Sequence, residues 1–161
     1  FSTILLKKAL DTYVNDGDVV LDIGTGSFAI HSIWLTKHKK VKVVATEIDD
    51  QTIESAKRVM QDNKVEFPIE NRDLFTGLTE HFDWAIVNPP FANQHDDSGY
   101  QFIDRVLKEA PKKIKLMISV NSMYVDIHKL PPIFKRNTYE IIETFRSFLM
   151  PARVYIVKKK P

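Results

Sequence analysis

The residues best suited to chemistry fall in a few short stretches, and Asn88-Pro89-Pro90-Phe91 is the most distinctive. It follows Phe82 to Val87, an apolar run that reads as a strand buried on both faces. Neither proline offers an N–H to a ladder, and the first holds Asn88 extended. The chain therefore leaves the sheet with a side-chain amide at the strand's carboxyl end, the edge where open α/β sheets bind ligands. An amide oxygen beside a proline carbonyl makes two acceptors suited to a planar –NH2 group. Phe91 supplies a face on which a flat substrate could stack. The plainer reading is a proline-stiffened loop.

Asp22-Ile-Gly24-Thr-Gly26-Ser-Phe-Ala29 lies between a strand and a helix, where glycines let backbone approach a ligand closely. Glu47 ends the second strand, placed to accept hydrogen bonds from ribose hydroxyls. Two cofactor classes fit. The G-x-G-x-x-A spacing suits a nicotinamide or flavin dinucleotide, and the same geometry suits S-adenosylmethionine (SAM). Asp22 separates them, because an acid before the first glycine favours a cationic ligand and sits badly beside a pyrophosphate. Asp73, past the third strand, is either an acceptor for an adenine amino group or a turn residue. Asp49 reads as the cap of the following helix.

The positioning elements alternate. Helices are expected over 2–14, 29–38, 51–63, 100–110 and 124–135, the last interrupted by Pro131-Pro132. Strands are expected over 19–23, 41–46, 65–69, 82–87 and 114–120, with a closing hairpin over 139–145 and 153–157. Such alternation means a single α/β domain, a mostly parallel seven-stranded sheet with helices on both faces and a C-terminal antiparallel hairpin. Trp84 and Phe102 are assigned to the core, and His31 and His38 to structural or exposed positions. His95, Asp96 and Asp97 form no ligand set and read as solvated loop or substrate contacts. Asn121 is a minor substrate contact.

Composition narrows the function. With 161 residues, 43% hydrophobic and 27% charged, one globular domain with an ordinary core is expected. No cysteine is present, which excludes disulfides, thiolate metal sites and cysteine nucleophiles. No apolar run approaches the roughly 20 residues of a membrane span, and no signal-peptide pattern appears, so a cytoplasmic location is expected. Phe1 rather than Met at the start suggests trimmed residues or another module upstream. Net charge is only +2, with lysines clustered at 37–42, 112–115 and 158–160. These are solvated helix ends or a phosphate-tracking surface.

With these residues in hand, the chain resembles the class I SAM-dependent methyltransferases. More narrowly it resembles the small-domain group that includes ribosomal RNA guanine-N2 methyltransferases and protein-glutamine N-methyltransferases. Val20-Leu-Asp22-Ile-Gly24-Thr-Gly26-Ser matches the family's first motif, Glu47 its second-strand acid, Arg72-Asp73-Leu74-Phe75 the segment near the adenine, and Asn88-Pro-Pro-Phe91 the amine-methylating motif. The resemblance implies a Rossmann-like fold with SAM bound by Asp22, Gly24, Thr25, Gly26, Glu47, Ile48, Asp73, Leu74 and Asn88. S-adenosylhomocysteine would be the product. It implies Asn88, Pro89, Pro90 and Phe91 at the reaction centre, with no metal. The implied substrate is an exocyclic amine of a base in structured RNA, ribosomal RNA foremost, at guanine N2 or adenine N6. Alternatives are a protein glutamine, or a scaffold that has lost SAM binding. A helper protein or an N-terminal module could assist substrate recognition. One position departs from the pattern: Phe28 stands where the family often has a third glycine, and its ring could crowd the cofactor or pack outward.

Overall fold

The computed structural model describes residues 2–91 and 97–161. The chain runs α1 (Ser2–Tyr13), β1 (Val19–Ile23), α2 (Ile30–His38), β2 (Lys42–Glu47), α3 (Asp50–Asp62), β3 (Ile69–Asn71) and β4 (Trp84–Val87). It continues through α4 (Asp97–Glu109), β5 (Lys115–Asn121), a 3-10 turn (Ile127–Lys129), α5 (Leu130–Arg136), β6 (Tyr139–Arg146) and β7 (Ala152–Lys159). The seven strands form one sheet in the order β3-β2-β1-β4-β5-β7-β6. All neighbours are parallel except β7, which is antiparallel to both β5 and β6. Chain order reverses between β1 and β4, so a crevice opens there at the carboxyl edge.

Successive residues of the central strands enter different cores, which is why these strands read as continuous apolar runs. Val20, Ile86 and Met117 pack with α1 and Leu35 of α2 on one face. Leu21, Val87 and Ile118 pack with α4 and α5 on the other. Trp84 is 2% exposed, with Tyr13 edge-on at 5.7 Å, and belongs to the core as expected. Asp49 caps α3, accepting from the Thr52 N–H at 2.7 Å.

Two elements depart from expectation. Residues 65–68 are not strand; β3 begins at Ile69. Pro68 cannot donate to a ladder, although its carbonyl accepts from Ala45 N–H at 2.9 Å and so opens the pairing. Pro131 and Pro132 do not interrupt a helix over 124–135 but start one, lying in the first turn of α5. Their missing N–H groups would have no intrahelical partner there.

Asp104 ties α4 to the end of α5. Its carboxylate accepts from Lys108 at 2.7 Å, Asn137 at 2.7 Å and Arg136 at 3.0 Å. These bonds, Lys108's first, hold its pKa down to about 2. A carboxyl depressed in the folded state contributes stability above the unfolded pKa of about 4, and that contribution is lost as pH falls toward 2. Asp104→Ala should therefore cost about 1–2 kcal/mol at neutral pH. In urea unfolding, the gap from the parent should close between about pH 4 and 2.

Candidate functional site

At the β1/β4 switch point a cleft of about 310 Å³ is walled by Ile23, Gly24, Glu47, Ile48, Arg72, Asp73, Leu74, Asn88, Pro90 and Phe102. Gly24, Glu47, Ile48, Asp73, Leu74, Asn88 and Pro90 are the wall residues for which the resemblance implies a place at the site. They come from the ends of β1, β2, β3 and β4, brought together because parallel strands end on one edge.

The glycine turn is built around two acids. Asp22 is 3% exposed, and one of its oxygens accepts from Thr25 Oγ1 at 2.8 Å and Ser32 Oγ at 2.6 Å. It therefore sits beneath the turn, joined to the start of α2, and is not a wall of the cleft. Thr25 N–H donates to the Thr46 carbonyl at 3.0 Å, which fastens the turn to β2. Glu47 accepts from Ile48 N–H at 2.9 Å and Gly26 N–H at 3.3 Å. Both acids are thus positioned by bonds to the chain they organise, and together they make this end of the cleft electronegative. Gly24 has φ +65, and a Cβ placed there would meet nothing within 4 Å. The wall at Gly24 is left open to a ligand, and a side chain would occupy that space.

Asp73 and Leu74 form a turn just past β3, beside Glu47, where the Asp73 carbonyl accepts from Thr76 N–H at 3.1 Å. Both carboxylate oxygens of Asp73 accept from Arg105, at 2.9 and 2.7 Å. Arg105 thereby holds the Asp73 pKa below the usual carboxylate range. Sequence reading missed Arg105, because nothing local signals a partner from α4. It also assigned Phe102 to the core. The ring is half-buried against that core and forms part of the cleft wall. Phe102 and the fully buried Ile103 are adjacent on a helix and cannot point the same way.

Asn88 and Pro90 are exposed and border the cleft, while Pro89 is buried. Phe91 is not a wall. Its ring packs edge-on to Tyr100 at 5.0 Å and over Gly99, where an added Cβ would lie 2.4 Å from two ring atoms. Gly99→Ala should displace the Phe91 ring and, through the chain, shift the adjoining Asn88–Pro90 corner that borders the cleft. The expected result is about a tenfold fall in turnover with cofactor affinity unchanged, read by steady-state kinetics and calorimetry.

Phe28 packs outward. It is 66% exposed and lies in a separate surface groove with Lys7, Ile30 and Trp34, so it does not crowd the cleft. His31 is held neutral over a wider pH range because burial lowers its pKa, against the pull of Asp22. His38 is exposed and stacked on Trp34 at 4.9 Å. Asn121 ends β5 and accepts from Met123 N–H at 2.9 Å. Asp97 opens α4, whereas His95 and Asp96 lie outside the described residues. Among the described residues no helix is long and apolar enough to cross a membrane.

A family model described as "Methyltransferase small domain" matches residues 1–139. A curated relative, the ribosomal protein L11 methyltransferase of Caldicellulosiruptor bescii, is 32% identical over 142 residues, covering 88% of this chain and 44% of its own length. The ribosomal RNA small subunit methyltransferase C of Haemophilus influenzae is 27% identical over 162 residues, covering 97% of this chain and 46% of its own. The chain thus spans less than half the length of these curated relatives. The crystal structure of a methyltransferase from Pyrococcus furiosus superimposes with a TM-score of 0.77 at 25% identity, over 98% of this chain and 83% of that one. The shared architecture is the Rossmann-like α/β fold, with antiparallel pairing at the C-terminal strands.

Proposed function

The chain belongs to the methyltransferase small-domain family, and from that premise we propose that it methylates an exocyclic amino group of a base in structured RNA, guanine N2 or adenine N6, with SAM as donor. One observation carries the reading: the Asn88–Pro90 corner and the Gly24–Glu47 wall border a single cleft. The cofactor end and the amine-binding corner are therefore within reach of each other.

The residues present fit SAM. Ile23, Ile48, Leu74 and Phe102 offer apolar surface to an adenine ring, and Glu47 offers its carboxylate to ribose hydroxyls. The open side of Gly24 admits the ligand's backbone-facing edge. When bound, SAM supplies an electrophilic methyl on a sulfonium, whose positive charge the Glu47 and Asp22 end of the cleft favours.

The target nitrogen's lone pair is delocalised into a ring, so the group is a weak nucleophile. Asn88 Oδ1 and the Pro89 carbonyl accept its two N–H bonds and turn the lone pair toward the methyl. They also stabilise the positive charge that develops on nitrogen. Proton loss follows methyl transfer, so no strong base is needed at this corner. A base in a duplex is first turned out of its stack.

A second reading is favoured by the L11 relatives: an amino or amide nitrogen of a ribosomal protein. Labelled SAM and ribosomal subunits from cells lacking this protein separate the two. Label recovered in nucleosides as N2-methylguanosine or N6-methyladenosine supports the RNA reading. Label recovered only in protein refutes it.

A further inference from the structure

Two strands from β4, at the same carboxyl edge as Asn88, the β6–β7 hairpin ends in a turn that presents its side chains to solvent. Phe148 is 104% exposed and Leu149 is 92% exposed. The turn is nevertheless anchored. Leu149 N–H donates to Ser147 Oγ at 3.1 Å, and Ser122 N–H donates to the Pro151 carbonyl at 2.8 Å, which fixes the tip to the end of β5. At strand spacing, β7 lies roughly 10 Å from β4, close enough for one substrate to touch both.

At the base of the turn, Arg146 and Arg153 are register partners, directly opposite across the β6–β7 ladder. Like charges so placed repel. Arg153 lies beside the Tyr155 hydroxyl, and among the described residues no carboxylate pairs with either arginine. Both point to the α4/α5 face of the sheet, since they alternate with Phe145 and Val154 of the opposite core and share parity with Tyr155. A small cavity of about 120 Å³ lies at the turn, lined by Arg146, Arg153, Ser122, Ser147 and Phe148 together with Met150 and Ala152.

We propose that this hairpin tip is a docking site for RNA, with a backbone phosphate held between Arg146 and Arg153 and a neighbouring base stacked on Phe148. Two guanidinium forks with no carboxylate partner among the described residues suit a phosphate, and an exposed ring beside them suits a base face. An apolar partner would bury both arginines unpaired, which opposes that occupant. The site rests on the RNA reading above and deepens it: it would hold nucleotides flanking the one at Asn88.

The test is fluorescence anisotropy of the full chain with fluorescein-labelled oligouridylate and with ribosomal RNA, over a salt series. Arg146→Ala/Arg153→Ala should weaken binding at least tenfold and reduce the slope of log affinity against log salt by about one. Phe148→Ala should weaken binding about fivefold or more with the slope unchanged. Arg146→Lys/Arg153→Lys should keep the slope. SAM affinity, measured by calorimetry, should be the same in every variant and reports an intact fold. Parent-like RNA affinity and slope in the alanine variants would overturn the site while leaving the RNA reading standing. So would a concentration-dependent dimer in sedimentation that Phe148→Ala abolishes without altering RNA binding. A parent chain with no RNA affinity would overturn both.

Discussion

Asn88→Ala should lower the rate of methyl transfer by about a hundred- to a thousandfold while changing SAM affinity by no more than a few-fold. The amide oxygen is asked to accept from an amine whose N–H groups become more acidic as nitrogen gains positive charge. That interaction strengthens on the way to the transition state, and removing such a preorganised partner costs turnover rather than binding. Asn88 and Gly24 follow the register partners Val87 and Ile23, and Glu47 ends the next strand over, so Asn88 borders the cleft on the side away from Glu47. Asn88→Asp, which keeps acceptor oxygens, should retain more activity than Asn88→Ala. Single-turnover kinetics beside calorimetry checks both variants. Equal losses of affinity and rate in Asn88→Ala would mean that the residue holds cofactor and not the reacting amine.

Glu47→Ala should behave in the opposite sense. The carboxylate fastens Gly26 and Ile48 through backbone N–H groups, and in the proposed complex it accepts from ribose hydroxyls. Charge-assisted hydrogen bonds of this type are worth about 1.5–3 kcal/mol, so the SAM dissociation constant should rise roughly ten- to a hundredfold. Turnover at saturating SAM should fall much less. If instead affinity holds and only the rate collapses, the ribose is bound elsewhere.

Much of this arrangement was legible in the sequence because its causes are local. Val19 to Ile23 read as a strand buried on both sides, and its two faces do enter different cores. Asp49 reads as a cap from its position before a periodic run, and it accepts from Thr52. The glycine turn and the double proline announce where strands must stop.

The rest depended on contacts between residues far apart in the chain. Asp73 meets Arg105 of α4, and no pattern near either residue signals the pairing. Phe91 packs on Gly99 because α4 starts at Asp97, earlier than its apolar spacing suggested. Asp22 lies beneath the turn and does not wall the cleft, since the hydroxyls of Thr25 and Ser32 donate to its carboxylate. β3 is three residues long at a sheet edge, too short to leave a periodic signature. Phe28 could be placed on either side of the turn from sequence; the direction of α2 sends it outward.

The central claim is that one cleft holds the cofactor's ribose at Glu47 and an amine at Asn88, with the activated methyl between them. A crystal structure of the chain with S-adenosylhomocysteine tests it most directly. The account predicts the adenine between Ile48 and Phe102, the ribose hydroxyls on Glu47, and the sulfur facing Asn88. Ligand density lying instead along the Phe28–Trp34 groove, or a sulfur turned away from Asn88, would contradict it.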